Sequence, residues 1–174
     1  GQGGDSFRAE DVSTGKAVLV SSLSGLPAGS DYAVGNFRGL ALRDFVFYKP
    51  GQSKLMVRPE EQVGSKLQLG KGADFELEQP VLRVVALPMP SPQRLFVIFG
   101  EGEKAAALDF DGAKAPAMVQ AFHATNDQFT CAASLPDGLV VLSQTAGGKL
   151  TTRYQTYKSS GQTYVAGPYG NLPT

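Results

Sequence analysis

The chain has no tryptophan, one cysteine, one histidine and no excess of either charge over its 174 residues. Each shortage removes a class of function. A lone cysteine, Cys131, closes no internal disulfide, so this is not a disulfide-stapled scaffold. An extracellular setting stays open, because a core of this size needs no staple. A zinc site at the single histidine, His123, needs at least one further His or Cys close by. The 16 basic residues balance 16 acidic ones. That balance argues against a nucleic-acid partner, which selects a basic excess to neutralise phosphates, and against a polybasic membrane patch. No apolar run reaches the ~18 residues of a transmembrane helix. Helical periodicity is nearly missing too. The best stretch, 114–124, contains Pro116, and its Met118-Val119-Gln120-Ala121-Phe122 reads equally well as a strand.

What the chain has instead is punctuation. Its 21 glycines and 11 prolines are spread along the whole length, separating short β-branched and aromatic runs, which is the signature of many tight turns between short strands. One pattern recurs three times. Leu26-Pro27 is followed by Gly51, Leu87-Pro88 by Gly112 and Leu135-Pro136 by Gly161, at nearly equal offsets. Pro50-Gly51 and Asp111-Gly112 are strong turn signals, because proline fixes φ and glycine tolerates a positive one. The first unit runs over about 16–57, with strands at 16–21, 32–34, 40–48 and 54–57. The second covers 81–122 and includes Leu95-Phe96-Val97-Ile98-Phe99, apolar at every position and therefore expected to be buried on both faces. The third covers 129–166, with Gly147-Gly148 as one of its turns. Between the first two, 58–80 holds an extra hairpin. The expectation is one all-β domain over residues 1–174.

Units of four short antiparallel strands repeating at roughly 40–50 residues resemble β-propeller repeats. The resemblance extends over about residues 16–166 and is one of architecture. The Trp-Asp and Gly-His pairs of WD40 repeats are missing, and the Gly-Gly pair of kelch repeats occurs only at Gly147-Gly148. No family residue carries over. The expected fold is therefore three to four propeller-like four-stranded units, with a β-sandwich or barrel as the alternative that gives the same strand and turn statistics.

Candidate chemistry is sparse. Asp109 and Asp111 alternate onto one side of a strand and, with Gly112, open like a calcium loop. The residues that follow supply no further oxygen ligands, and an ordinary hairpin turn is the competing reading. Tyr154, Tyr157 and Tyr164, together with Tyr169, concentrate near the C-terminus, where exposed tyrosines would form a carbohydrate or protein contact surface. Tyrosine also packs on strands for its own sake. His123 with Asp127 has the make-up of a base and its orienter or of two metal ligands, and a surface or loop-satisfying histidine is the competing reading. Strand alternation groups Cys131 with Phe129 and Ala133 on an apolar face, as a small core residue. Gly100-Glu101-Gly102-Glu103-Lys104-Ala105 matches a dinucleotide fingerprint in letters only, because a strand follows where a helix must begin. The acid pairs Glu60-Glu61 and Glu101/Glu103 are expected in loops. No serine lies in a Gly-x-Ser-x-Gly elbow.

The sequence starts Gly1-Gln2-Gly3-Gly4-Asp5, which suggests a processed or excised N-terminus and so a secreted, periplasmic or cell-envelope setting. The function expected from these observations is non-enzymatic binding or scaffolding, without a cofactor. The ligand would be protein or carbohydrate, and self-association is open. The alternative is a hydrolase, or a hydrolase accessory domain, acting on carbohydrate or cell-wall material.

Overall fold

The structure, a computed structural model, describes residues 4–11, 18–87, 93–145 and 149–173. The expected turns at Pro88 and at Gly147-Gly148, the start of the first strand at Lys16 and the residues Gly1 to Gly3 lie outside the described residues. Every element is a β-strand, every pairing is antiparallel, and among the described residues there is neither a helix nor a sheet closed into a barrel. Residues 117–123 take the strand reading. Pro116, which has no N–H to donate, stands just before the strand begins.

The chain opens with a hairpin of β1 (Asp5–Asp11) and β2 (Val18–Leu26). The first unit follows: β3 (Asp31–Gly35), β4 (Asp44–Tyr48), β5 (Lys54–Val63), β6 (Lys66–Leu69) and β7 (Ala73–Glu76). β5 is long enough to take two partners besides β4. Its Lys54–Val57 half pairs with β7 and its Glu60–Val63 half with β6, and Pro59 separates the halves. The second unit is the meander β8 (Val81–Leu87), β9 (Arg94–Phe99), β10 (Lys104–Asp109) and β11 (Ala117–His123). The third is the meander β12 (Asp127–Leu135), β13 (Gly138–Thr145), β14 (Thr152–Ser160) and β15 (Thr163–Asn171).

The units stack face to face in chain order, with β3 against β8 and β8 against β12. Three apolar layers hold the stack together. Phe7, Leu23 and Leu26 of the hairpin cover Phe45 and Phe47. Val46, Tyr48, Leu55 and Val57 of the first unit meet Val84, Leu95, Val97 and Leu108 of the second. Phe96, Ile98, Ala105 and Phe122 of the second unit meet Phe129, Leu139, Val141 and Tyr164 of the third. Alternate residues of β4 and β9 thus enter different layers. This is why Phe45–Tyr48 and Leu95–Ile98 are apolar at every position and almost fully buried. Each such side chain contributes about 1.5–3 kcal/mol of burial.

The three turn glycines share a backbone conformation but not a place in their units. Gly51, Gly112 and Gly161 all have positive φ, at 89°, 81° and 62°. Gly112 and Gly161 join the third and fourth strands of their units, whereas Gly51 joins β4 to β5. The sheet of the first unit therefore runs from Asp31 to Glu76 and has five strands. The 16–57 stretch is divided between the hairpin and this sheet, and the extra segment 58–80 supplies its last two strands, β6 and β7. The expected strand over 40–48 also starts later. Asp44, fully buried, accepts from the Phe37 N–H at 3.2 Å and from Arg38 Nε at 2.7 Å. The Asn36 amide donates to the Leu40 carbonyl. These bonds fold 36–43 into a loop.

Candidate functional site

Differences in strand length open a concavity between the first two units. β7 has four residues and β11 has seven, so the first unit stops short and leaves the outer strip of the second uncovered. The result is a groove of ≈470 Å³. One wall is the segment Glu76, Leu77, Glu78 and Gln79, and the floor includes Phe99, Ala106, Leu108 and Ala121. Register explains which side chains of the second unit share it. Phe99, Lys104 and His123 lie opposite one another across three strands, as do Val97, Ala106 and Ala121, and Leu95, Leu108 and Met118. These rows share the face turned to the first unit. Their inner ends are buried in its core, and their outer ends, His123, Ala121 and Met118, line the groove. Met118 is 69% exposed, an unusual exposure for a large apolar side chain beside a pocket. The wall begins at Glu76, the last residue of β7, and β7 pairs with β5 on one side only, so its other edge has no strand partner among the described residues.

Charge on the groove is divided. Glu76 and Glu78 belong to one wall, and Lys104 and His123 to the other. Glu76 accepts from Ser53 Oγ at 2.8 Å, which ties its carboxylate to the first unit. The two carboxylates are two residues apart on one segment. They do not face each other across the space.

The residues singled out from the sequence are dispersed. Asp109 is ion-paired with Arg94 at 2.7 Å. Asp111 accepts from the amides of Lys114 and Ala113 at 2.8 and 2.9 Å, and these bonds hold its carboxyl below the usual carboxylate range. Each aspartate thus has its own partners, and no group of three or more His, Cys, Asp or Glu able to hold a metal occurs among the described residues. Glu103 has a similar turn role. Its own amide and that of Glu101 bond to the carboxylate and lower its pKa. Glu60 and Glu61 lie on β5 rather than in a loop, with Glu60 buried and paired to Arg43 at 3.2 Å.

The tyrosines do not form one surface. Tyr164 is buried between the second and third units. Its hydroxyl accepts from Arg94 Nη1 at 3.2 Å, its N–H donates to Gln120 Oε1 at 2.7 Å, and its carbonyl accepts from Gln120 Nε2 at 2.9 Å. Gln120 thereby makes the two bonds that a neighbouring strand would make. Burial opposes the charge of Arg94, but the hydrogen bonds it donates to Tyr164 and Asp109 outweigh it and raise the guanidinium pKa. Tyr157 packs edge-on against Phe122 at 5.1 Å and donates to Gln155 Oε1. Tyr154 lies on the opposite face, over Gly170. Tyr169 is exposed beneath the Arg153 guanidinium, 4.9 Å away.

His123 and Asp127 also separate. His123 lines the groove, whereas Asp127 is buried and accepts from Ser143 Oγ at 3.2 Å and Arg153 Nη1 at 3.3 Å. Cys131 is displaced by a bulge. The register shifts between Phe129 and Cys131, so Phe129 stays in the core layer while Cys131, half-buried, turns to the other face.

No family model, curated protein or solved structure matches this chain. The groove itself was missed from the sequence. The clasp of Gln120 on Tyr164 has no local signal, because its two residues are far apart in the chain.

Proposed function

We propose that this chain is a non-enzymatic binding module, built as an open stack of propeller-like units, that captures an extended segment of a protein partner in the groove between its first two units. The reading rests on one observation: an apolar trough ends against Glu76, the last residue of β7, a strand whose outer edge has no strand partner among the described residues. A bound strand would add to β7, taking its free backbone groups, and would lay alternate side chains over Met118, Ala121 and Leu108. That is recognition by strand addition, in which main-chain bonds give affinity and side-chain contacts give selectivity. Glu76 at the end of β7 and Glu78 beyond it, both exposed, favour a segment whose other side chains are basic. The placement of Glu76 and Glu78 on one wall favours binding over sugar hydrolysis, which uses carboxylates on both sides of the scissile bond. A secreted or cell-envelope setting belongs to the same proposal.

A fluorescein-labelled hexapeptide alternating Val and Lys is a direct probe. Anisotropy should rise saturably with the intact protein. It should weaken about ten-fold or more with Met118→Asp, the loss expected of an anchoring residue. A peptide of the same composition with prolines at the pairing positions should not bind. A flat titration, or equal binding by the proline peptide, would contradict the proposal.

A further inference from the structure

The stack has two ends, and they differ. At the first, the β1–β2 hairpin covers Phe45 and Phe47. At the second, the far face of the third unit is covered by nothing in the chain's described residues. Yet its central strand is written like those of the other units. Leu139–Leu142 is apolar at every position, as are Phe45–Tyr48 and Leu95–Ile98. Leu139 and Val141 face the second unit and are buried. Val140 and Leu142 occupy the places taken by Phe96 and Ile98 in β9, which are fully buried against the next unit. Val140 and Leu142 are only half-buried. Register sets Ala133 and Cys131 beside them on one side and Thr156 and Tyr154 on the other. Gln144, Thr152 and Lys158 surround this centre. An apolar centre with a polar rim is the anatomy of a protein interface.

We infer that this face pairs with the same face of a second copy, by two-fold symmetry. Two observations select that occupant. The first is the character of the opposite end, where Asp5, Ser6, Arg8 and Ser24 are exposed among the hairpin's described side chains. That polar surface does not complement an apolar one, so head-to-tail stacking is disfavoured and the self-complementary arrangement remains. The second is size. Four strands at about 4.8 Å spacing and nine residues at about 3.3 Å rise give a face of roughly 570 Å². Two such faces bury about 1,100 Å², just above the ~1,000 Å² expected of a specific interface. A threshold area predicts a reversible dimer, not an obligate one.

Sedimentation velocity across micromolar to submillimolar protein tests this. The expected result is a concentration-dependent rise towards twice the 18.3 kDa of one chain, with the dimer weakened at least ten-fold by Leu142→Glu. Circular dichroism checks that this variant folds. If it does not, Ala133→Arg, at an exposed position of the same face, takes its place. Cys131 gives a readout without mutation, since its alkylation rate should fall as protein concentration rises. A monomeric mass at all concentrations overturns the inference, and so does a dimer that both substitutions leave intact. Neither substitution touches the groove, so hexapeptide binding should be unchanged in both.

Discussion

Removing the side chain of Gln120 tests the stacking directly. This amide is the polar link between the outer strands of the second and third units, bonding both the N–H and the carbonyl of Tyr164. Tyr164 is only 5% exposed, so water replaces those bonds poorly. A hydrogen bond contributes about 1 kcal/mol net, and a buried group left unpaired costs about 1–3 kcal/mol. Gln120 itself is half-buried, so some water reaches the site, and Gln120→Ala should lose about 2–3 kcal/mol. For a chain of this length that lowers Tm by roughly 5–10 °C. Gln120→Glu keeps the acceptor for the Tyr164 N–H but turns a carboxylate towards the Tyr164 carbonyl, so it should be at least as damaging at neutral pH and less so in acid. Urea unfolding with an unchanged m-value is the assay. A loss under about 0.5 kcal/mol, the scatter of ordinary surface substitutions, would refute the idea that this clasp holds the units together.

Other expectations follow from single sites. Asp44→Ala leaves Arg38 and the Phe37 N–H without their shared acceptor. Arg38 is partly exposed, which reduces the cost of a broken buried pair to about 2–3 kcal/mol, measurable by urea denaturation. Gly138→Ala would set a Cβ against the Tyr157 carbonyl and force β13 and β14 apart. A loss of about 2 kcal/mol or more is expected, with raised amide exchange in both strands. Burial lifts the phenols of Tyr48 and Tyr157 above the ordinary 10.0, helped by Asp31 near Tyr48 and Tyr169 near Tyr157. The unfolded chain therefore releases these protons first. Stability should be level below pH 10 and fall as pH rises through the window above it, and Tyr48→Phe with Tyr157→Phe should flatten that fall.

The all-β class and the two-sided burial of β9 were legible because they depend on local pattern. Leu95–Phe99 has no polar residue, and only a strand with covered faces fits it. The phase of the first unit was not legible. Leu26-Pro27 imitates the turn that follows the first strand of the later units, but Val18–Leu26 pairs with β1 instead. Alternation failed at Cys131 because one bulge reverses every facing after it. Tyr154, Tyr157 and Tyr164 looked alike in sequence, yet a period of two and a turn sent them to different environments. The groove was invisible for a different reason. It exists because β7 is shorter than β11, a relation between strands that are far apart in the chain.

The most direct test of the functional account is amide hydrogen exchange of β7 with and without saturating Val/Lys hexapeptide. Strand addition to the free edge should protect every second amide between Ala73 and Glu76, leave the others unchanged, and do so in the intact protein but not in Met118→Asp. Unaltered exchange along β7, with protection appearing elsewhere or nowhere, would contradict it.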